Sequence, residues 1–214
     1  MAIEAMTDFA QAHRLARLSI DSGQGPEARW EPEPVTATLG GVAVPLPAGG
    51  FLQATEDGEA ALLAVVRDAV GDAKTVADLF TGLGTFALPL SRSARVLAAE
   101  SDRAAILSLK GAAARAGRPL VADHRDLFRR PYTAAELSRF DAVVLDPPRA
   151  GAREQVAELA QATCGRIAYV SCNPSTFARD ARTLVDGGLR LEGVTPVGQF
   201  RWSTHVELVG LFER

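Results

Sequence analysis

Short apolar segments alternate with amphipathic segments from about residue 74 onward. The amphipathic segments carry Ala, Leu, Ile and Val at helical spacing, whereas each apolar segment is short enough to be a buried strand. The apolar segments are VADLF (76–80), RVLAAE (95–100), PLVAD (119–123), FDAVVLD (140–146) and RIAYVS (166–171). Alternation of near-continuously apolar strands with helices predicts a mostly parallel sheet that helices cover on both faces.

The C-terminal part of the chain departs from this alternation. Residues 175–188 are amphipathic and end in two glycines, which predicts a helix. Residues 189–200 and 204–214 then predict two strands, which we expect to form a hairpin-like pair that closes one edge of the sheet. The predicted fold class is therefore α/β, with a mostly parallel sheet and an antiparallel C-terminal strand.

The N-terminal part is less regular. Its pattern predicts, in order, a short helix (7–17), a polar, proline-rich connector (23–34), a β-hairpin (35–46) and a helix (about 57–70). The hairpin is indicated by alternating apolar residues that Gly40 and Gly41 interrupt. We therefore divide the chain into an N-terminal extension with a hairpin and a helix (1–73) and a cofactor-binding catalytic domain (74–214).

Composition narrows the class of protein. None of the apolar runs among the 214 residues reaches the roughly 18 residues that a membrane span needs, and the N-terminus lacks the order of a signal peptide. We therefore expect a soluble, cytoplasmic protein without a membrane partner. Two cysteines and three histidines indicate neither a disulfide scaffold nor a structural metal site. A net charge of −3 argues against a nucleic-acid binder, which usually has a basic excess.

A glycine loop follows the first strand of the predicted sheet. VADLF runs into Gly82-x-Gly84, and a helical segment begins directly afterwards. Glycines in this place let a ligand approach the main chain. Glu100 ends the next predicted strand, where an acid can accept hydrogen bonds from the two ribose hydroxyls of an adenosine cofactor.

The loop favours S-adenosylmethionine over a dinucleotide. A dinucleotide site has a third glycine, but Phe86 and Ala87 occupy the corresponding positions here. The Asp78 carboxylate just before the loop would repel phosphate and could orient a cationic ligand. S-adenosylmethionine carries an ammonium and a sulfonium group and no phosphate. A site for an NAD-like ligand and a merely structural turn are the alternatives.

Two polar motifs follow later strands of the predicted sheet. Asp146 starts Asp-Pro-Pro-Arg, whose prolines stiffen the chain and hold this acid at the strand end. Cys172 lies in YVSCNP, where the polar, sharply turned surroundings indicate a nucleophile rather than a buried small hydrophobe. Cys164, at the end of an amphipathic helix, is interpreted as structural.

A third motif, Thr-His-Val-Glu, lies near the C-terminus. Alternation places His205 and Glu207 on one face of the last predicted strand. Two ionisable groups on a largely apolar strand are costly unless they face a crevice, which makes them candidate functional residues. The alternative is a glutamate with a purely structural pairing.

The chain resembles the RNA uracil-C5 methyltransferases, which make 5-methyluridine in tRNA or ribosomal RNA. The motifs that carry the resemblance stand in the family's order, namely DLFTGLGTF (78–86), DPPRAG (146–151), YVSCNPSTFARD (169–180) and THVELV (204–209). The upstream GGFLQAT (49–55) is also similar to that family, so the resemblance covers roughly residues 35–214. It implies a Rossmann-like class I methyltransferase sheet with a small N-terminal α/β extension.

The resemblance also implies roles for individual residues. Cys172 matches the family's nucleophile and Glu207 its general base. The positions that match contacts to S-adenosylmethionine are Gln53, Phe80, Glu100, Asp126 and Asp146, with Thr85 at a less constant position of the glycine loop. Together with Gly82 and Gly84, these residues form the expected cofactor site, and no metal is expected.

The chemistry of uracil methylation requires these two catalytic groups. Carbon 5 of uracil is a weak nucleophile until a thiolate adds to carbon 6, and a base must later remove the carbon-5 proton. The RNA must present the uridine unpaired or flipped out. Asp146 or Asn173 could hold the uracil edge. Candidate contacts to the RNA backbone are Arg125, Arg129, Arg130 and Arg149.

Two other functions are weighed against this one. Asp-Pro-Pro motifs also serve base-nitrogen methyltransferases, but those enzymes usually place an aromatic residue after the prolines, where this chain has Arg149, and need no cysteine. A non-catalytic cofactor-binding remnant is the second alternative. The family's RNA-binding β-barrel and cysteine cluster, and most of its inserted central domain, have no counterpart in these residues, so the resemblance is to the catalytic-domain portion. We expect a monomer.

Overall fold

A computed structural model of the chain describes residues 2–200 and 202–214. The helices are α1 (Ala2–Ala12), α2 (Glu56–Val70), α3 (Ala87–Leu90), α4 (Arg103–Arg115), α5 (Ala134–Leu137), α6 (Arg153–Leu159) and α7 (Pro174–Asp186). Within the described residues, none of these helices is both long and apolar enough to cross a membrane.

The strands are β1 (Leu18–Asp21), β2 (Pro26–Trp30), β3 (Thr36–Leu39), β4 (Val42–Pro45), β5 (Thr75–Leu79), β6 (Arg95–Glu100), β7 (Leu120–His124), β8 (Ala142–Leu145), β9 (Arg166–Ser171), β10 (Arg190–Val197) and β11 (Glu207–Glu213). In the described part of the chain, seven of them form one sheet in the order β10-β11-β9-β8-β5-β6-β7. Strands β5 to β9 pair in parallel, whereas β11 is antiparallel to both β9 and β10. This confirms the predicted α/β class and the antiparallel C-terminal strand pair.

Alternating side chains of the parallel strands build a core on each face of the sheet. Val76 and Val144 contribute to one core, whereas their neighbours Ala77 and Val143 contribute to the other. Because both faces are covered, these strands are apolar at successive positions. The carboxyl ends of the parallel strands remain the place where polar side chains can reach a common cleft.

Part of the N-terminal extension packs on the same sheet. Leu62 and Val66 of α2 and Leu39 of the β3–β4 hairpin lie in one of the two cores together with the central strands. Gly40, in the turn of that hairpin, lies so close to Pro89 that an added Cβ would be 2.7 Å from its backbone nitrogen. The boundary between residues 73 and 74 stays a prediction of the sequence.

The interpretation of residues 23–34 as a connector is wrong. Pro26–Trp30 forms β2, which pairs antiparallel with β1. This strand is exposed at four of its five positions, so its sequence lacks the apolar alternation by which strands are predicted. The first helix also begins and ends earlier than the predicted range of 7–17, and Arg14 adopts a left-handed conformation (φ 50°) just beyond its end.

Candidate active site

Strands β5, β6, β8 and β9 end at one cleft of about 400 Å³. Its walls combine these strand ends with the segment before α2 and the first residue of β11. Eight of the ten predicted site residues line it, namely Gln53, Phe80, Gly82, Thr85, Glu100, Asp146, Cys172 and Glu207. The two exceptions are Gly84 and Asp126, which lie outside this lining.

The two loop glycines play different structural roles. Both have positive φ, 55° at Gly82 and 94° at Gly84. A Cβ added at Gly82 would meet no atom within 4 Å, so its main chain is open to a ligand. A Cβ added at Gly84 would lie 2.5 Å from Leu109 Cδ1, so this glycine lets the loop pack against α4. Gly82 thus belongs to the cleft, and Gly84 to its support.

Asp78 does not reach the cleft, contrary to the suggestion that it orients a cationic ligand. Its side chain is fully buried beneath the loop, where Oδ2 accepts a 2.6 Å hydrogen bond from Thr81 Oγ1. Its other oxygen, Oδ1, has no partner within the described residues. Burial raises the pKa of Asp78 to about 7, although the hydrogen bond from Thr81 acts in the opposite direction.

Glu100 is held in place by main-chain donors around the glycine loop. One carboxylate oxygen accepts hydrogen bonds from the amides of Ser101 (2.7 Å) and Asp102 (2.8 Å), and the other from the amide of Gly82 (3.0 Å). A carboxylate oxygen has two acceptor sites, so the oxygen bonded to Gly82 retains capacity for a ligand hydroxyl. The side chain therefore both orders the loop and faces the cleft.

Two phenylalanines form an aromatic wall near Glu100. The rings of Phe80 and Phe128 lie 5.5 Å apart between centroids, and both residues line the cleft. Phe80 has a left-handed backbone (φ 63°), which is unusual for a bulky residue and points to a functional constraint. Phe128 was not predicted from the sequence, and no motif marks it.

Asp126 does not line the cleft but stabilises the turn that carries Phe128. Its Oδ1 accepts hydrogen bonds from the amides of Phe128 (3.0 Å) and Arg129 (3.2 Å). The carboxylate also lies 3.5 Å from the Arg129 guanidinium. Asp126 thus follows the third strand as predicted, but in this structure it stabilises the turn that carries Phe128.

The Asp-Pro-Pro-Arg loop is fixed to helix α7. The Arg149 carbonyl accepts hydrogen bonds from Asn173 Nδ2 (3.0 Å) and Thr176 Oγ1 (3.2 Å), and the Ala150 carbonyl accepts one from Arg179 (3.0 Å). The Asn173 Oδ1 also caps α7 through the amide of Ser175. Each end of the Asn173 amide therefore makes one hydrogen bond within the fold and keeps capacity for a second.

Asp146 presents a carboxyl group without a hydrogen-bond partner in the part of the chain that the structure describes. Burial, followed by the charges of Glu207 and Asp78, raises the pKa of Asp146 to about 8. Near neutral pH this group is therefore largely protonated in the ligand-free chain. A neutral carboxyl group can donate and accept a hydrogen bond at the same time.

Cys172 lies on a tight turn between β9 and α7. Ser171 Oγ accepts a hydrogen bond from the Asn173 amide (3.1 Å) and donates one to the Asn173 carbonyl (3.2 Å), which fixes the backbone on both sides of the cysteine. Burial and the charges of Glu207 and Asp146 raise the pKa of the Cys172 thiol, whereas Arg149 lowers it. Cys164, by contrast, is buried in the core, as predicted.

The prediction that His205 and Glu207 share a strand face is wrong, because β11 begins only at Glu207. The two side chains nevertheless meet, with His205 Nε2 3.6 Å from Glu207 Oε1. Burial raises the pKa of Glu207, while His205 and Arg149 act in the opposite direction. A carboxylate whose pKa is raised toward neutrality suits a general base.

Two further cavities open beside Cys172. One of about 260 Å³ is lined by Phe51, Phe200, His205 and Glu207 among others. The other, of about 450 Å³, is mainly polar. Cys172 and Arg149 line both of these cavities and the main cleft. The thiol therefore lies where three cavities meet.

Gln199, which sequence reasoning missed, connects two walls of this site. Its Nε2 donates to Gln53 Oε1 (2.8 Å), and its Oε1 accepts from the amide of Ala54 (3.0 Å). The contact joins residues that are far apart in the sequence, so no local pattern could have indicated it. Gln53 is held at the rim of the cleft by this pair.

Of the four arginines proposed to contact RNA, Arg125 is used within the fold. Its guanidinium donates to the carbonyls of Arg130 and Pro131 and lies 3.8 Å from the centroid of the Tyr132 ring. Arg129 pairs with Asp126 but is largely exposed, and Arg130 and Arg149 are also exposed. Arg149 alone of the four lines the cleft.

The charges of the cleft fit a cationic ligand better than a phosphate. Two carboxylates, Glu100 and Glu207, and the carboxyl group of Asp146 line it with one base, Arg149. The carboxylates at the strand ends would repel a pyrophosphate, whereas they would attract an ammonium or sulfonium group. The open main chain at Gly82 and the aromatic wall of Phe80 and Phe128 complete a site for an adenosine whose other end is positively charged.

Comparison with known proteins gives a consistent result. The family model described as tRNA (Uracil-5-)-methyltransferase matches residues 120–214. An uncharacterized RNA methyltransferase of Zymomonas mobilis is 61% identical over 213 residues, which are 100% of this chain and 54% of that protein. The 23S rRNA (uracil(1939)-C(5))-methyltransferase RlmD of Pseudomonas putida is 40% identical over 149 residues, covering 64% of this chain and 31% of that protein.

A solved structure supports the same assignment. The tRNA (uracil-54, C5)-methyltransferase of Pyrococcus abyssi, in complex with S-adenosyl-L-homocysteine, superposes with a TM-score of 0.73 at 28% identity, over 86% of this chain and 45% of that one. The chain spans about half the length of the first curated relatives that it matches. The chain therefore belongs to the RNA uracil-C5 methyltransferase family and corresponds to the catalytic-domain portion of its members.

Proposed function

We propose that the chain transfers a methyl group from S-adenosylmethionine to carbon 5 of a uridine in RNA, through a covalent adduct with Cys172. One observation carries the proposal. The glycine loop with Glu100, which suits an adenosine cofactor, and the pair Cys172 and Glu207 line the same 400 Å³ cleft. Covalent attack and methyl transfer can therefore take place in one site.

The residues present fit the cofactor. Glu100 would accept hydrogen bonds from ribose hydroxyls, Phe80 and Phe128 would hold the adenine ring, and Gln53, Thr85 and Asp146 line the rest of the cleft. When bound, the cofactor supplies an electrophilic methyl group on a positively charged sulfur. The Glu100 and Glu207 carboxylates would stabilise this charge, and Gly82 would let the ligand approach the main chain.

Cys172 performs the covalent step and Glu207 the acid–base step. The Cys172 thiolate adds to carbon 6 of uracil, and the electron pair moves into an enolate that makes carbon 5 nucleophilic. After carbon 5 has been methylated, Glu207 removes its proton, and the electron pair of that C–H bond expels the thiolate. His205, 3.6 Å from Glu207, can hold the carboxylate in position.

Asp146 can recognise the uracil edge as well as contacting the cofactor. A protonated carboxyl group donates to a carbonyl oxygen and accepts from an N–H, and uracil offers these groups side by side at O4 and N3. The raised pKa of Asp146 keeps this form available near neutral pH. Ionisation of this carboxyl removes its donor to O4, so uracil binding should weaken as pH rises through the pKa of Asp146.

The choice between uracil methylation and the alternatives rests on the cysteine. A base-nitrogen methyltransferase or a non-catalytic remnant has no use for a thiol at the meeting point of three cavities. Methylation of uridine-containing RNA, followed by mass spectrometry of the digested product, tests this. We expect Cys172→Ala to abolish 5-methyluridine formation, whereas Cys164→Ala, which removes the other thiol, leaves it measurable. Near-normal 5-methyluridine from Cys172→Ala would contradict the covalent role of this cysteine, whereas methylation of a base nitrogen in place of carbon 5 would favour a base-nitrogen methyltransferase.

A further inference from the structure

Exposed aromatic side chains are concentrated around the cavities that meet at Cys172. Within the described residues, five aromatic side chains are largely exposed, namely Phe9, Phe51, Phe128, Phe200 and Trp202. Phe51, Phe128 and Phe200 line the cavities, and Phe9 stacks on His13 of its own N-terminal segment. Trp202 is completely exposed. Tryptophan is enriched at binding interfaces, because its ring is apolar and its N–H can donate a hydrogen bond.

Trp202 lies between residues that form two of the cavity walls. Phe200, two residues before it, lines the 260 Å³ cavity, and Ser203 and Thr204, directly after it, line the 450 Å³ cavity. Its backbone is left-handed (φ 61°), a conformation that a bulky residue rarely adopts. Trp202 thus lies in the loop between β10 and β11, between residues that line the two cavities, while its own fully exposed ring lines neither.

The surroundings of Trp202 favour single-stranded nucleic acid over an apolar partner. The 450 Å³ cavity is lined by Arg149, Asn173, Ser203 and Thr204, which can bind phosphate and ribose groups. One exposed ring beside such a polar cavity matches the way unpaired bases are bound, with the base stacked on an aromatic ring and the backbone in a basic or polar groove. A protein or lipid partner would require a broader apolar surface.

The size of the site supports more than one bound nucleotide. Glu207, Phe51 and Phe200 make the smaller cavity suitable for the reacting uracil beside Cys172. The larger polar cavity also borders Cys172 but lacks Glu207. It is therefore suited to a neighbouring nucleotide.

We propose that Trp202 is a stacking platform for the base next to the target uridine in unpaired RNA, an inference that rests on the proposed function. The ring contacts a base only when the neighbouring nucleotide occupies the 450 Å³ cavity. Recognition then requires at least two unpaired nucleotides, the uridine and its neighbour. Trp202 acts in binding and takes no part in the chemical steps.

Binding of a uridine-containing single-stranded oligonucleotide tests this directly. Loss of a base–aromatic stack predicts that Trp202→Ala weakens its binding by about 5- to 150-fold in fluorescence anisotropy. Trp202→Phe, which keeps an aromatic ring, should retain most of the affinity, and Phe9→Ala, an exposed aromatic control away from the cavities, should change nothing. Tryptophan emission of the unmodified chain should be quenched by the single strand, less so by a duplex of the same sequence.

Separate measurements distinguish failure of this proposal from failure of the proposed function. Trp202→Ala should raise the KM for RNA with little change in kcat and leave S-adenosylmethionine affinity, measured by calorimetry, unchanged. Methylation by Trp202→Ala with normal KM and normal RNA affinity would overturn the stacking role while the methyltransferase activity stands. Quenching and binding through Trp202 without any 5-methyluridine would instead contradict the proposed function.

Discussion

Cys172 lies in an environment that disfavours its thiolate. Burial and the neighbouring carboxyl groups of Glu207 and Asp146 raise the pKa of the thiol, and Arg149 compensates only in part. A positive charge in the same cleft stabilises the thiolate by ordinary Coulomb attraction. The thiol is therefore expected to be least reactive in the ligand-free chain.

Glu100 is the residue at which the cofactor proposal is most easily tested. Glu100→Ala removes an acceptor of ribose hydroxyls and the anchor of the Gly82 amide. We expect S-adenosylmethionine affinity to fall by about 1.5–3 kcal/mol, the range for hydrogen bonds to a charged group. Isothermal titration calorimetry measures this, with Glu27→Ala on the exposed strand β2 as control. Unchanged affinity in a folded Glu100→Ala chain would remove Glu100 from the ribose role.

Asp78 makes stability depend on pH. Its pKa is raised to about 7 in the folded chain, so the folded state binds a proton that the unfolded state releases at lower pH. Its contribution is fully present below the unfolded pKa of about 3.9 and is lost as pH rises through about 7. The raised pKa values of Asp146 and Glu207 act in the same direction.

Urea unfolding at several pH values tests this dependence. Between about pH 5 and pH 8, Asp78 alone should lower the free energy of unfolding by about 2–3 kcal/mol. The side chain of the Asp78→Asn variant cannot ionise. Between about pH 5 and pH 8 the free energy of unfolding of this variant should therefore fall by about 2–3 kcal/mol less than that of the unmodified chain. Equal pH dependence in both chains would show that Asp78 is not protonated in the folded state.

The sequence predicted those site residues that directly follow a strand. Glu100, Asp146 and Cys172 end or follow buried strands, whose apolar pattern is clear, and parallel strands bring their carboxyl ends together. Phe128 and Gln199 come from loops and act through contacts distant in the sequence. Asp78 was misplaced because its burial depends on how the glycine loop folds over it, which no local pattern specifies.

At the level of elements, the two glycines of one sequence motif meet different structural requirements. Gly84 is needed for packing on α4, and Gly82 for access to the cleft. A Cβ at Gly84 adds a clash with Leu109 to the cost of a left-handed backbone. A Cβ at Gly82 adds only the backbone cost but projects a methyl group beside the ligand site.

Alanine substitutions at the two glycines should therefore have different effects, mainly on stability at Gly84 and mainly on ligand binding at Gly82. Gly84→Ala should lower the free energy of unfolding by about 2–5 kcal/mol, from about 1–2 for backbone strain and 1–3 for overpacking. Gly82→Ala should cost only about 1–2 kcal/mol but weaken S-adenosylmethionine binding further. Chemical unfolding and calorimetry measure the two effects. A similar stability loss for both variants would contradict the assignment of Gly84 to packing.

The elements that the sequence failed to predict are those without an apolar face. Strand β2 is almost entirely exposed, so its residues resemble a polar connector. The start of β11 at Glu207, rather than earlier, depends on pairing with β9 and β10, which local alternation does not report. The central parallel strands were predicted because burial on both faces makes them continuously apolar.

For the molecule as a whole, a net charge of −3 sets limits on RNA binding. Arg125 is used within the fold, which leaves Arg129, Arg130 and Arg149 as the exposed candidates among the four arginines proposed from the sequence. Three phosphate contacts predict a slope of about −2 for the logarithm of affinity against the logarithm of salt concentration on a single strand. Binding by this chain alone should therefore be weak.

A salt titration of oligonucleotide binding checks this expectation. Arg130→Ala should reduce the steepness of the slope by about 0.7, because one phosphate contact is lost. Arg29→Ala, on strand β2 outside the cleft, serves as the control and should leave the slope unchanged. Tight binding that is insensitive to salt would imply a base-specific surface much larger than the three cavities.

The covalent mechanism is tested most directly by trapping its intermediate. Glu207→Gln preserves the size of the base but cannot remove the carbon-5 proton, so attack by Cys172 and methylation should proceed while release fails. Incubated with S-adenosylmethionine and uridine-containing RNA, Glu207→Gln should accumulate a methylated protein–RNA adduct, visible as a shifted band on a denaturing gel. The band should be absent from the double variant Cys172→Ala, Glu207→Gln. Free 5-methyluridine without an adduct would exclude Glu207 as the base, and an adduct that persists without Cys172 would contradict the thiolate mechanism itself.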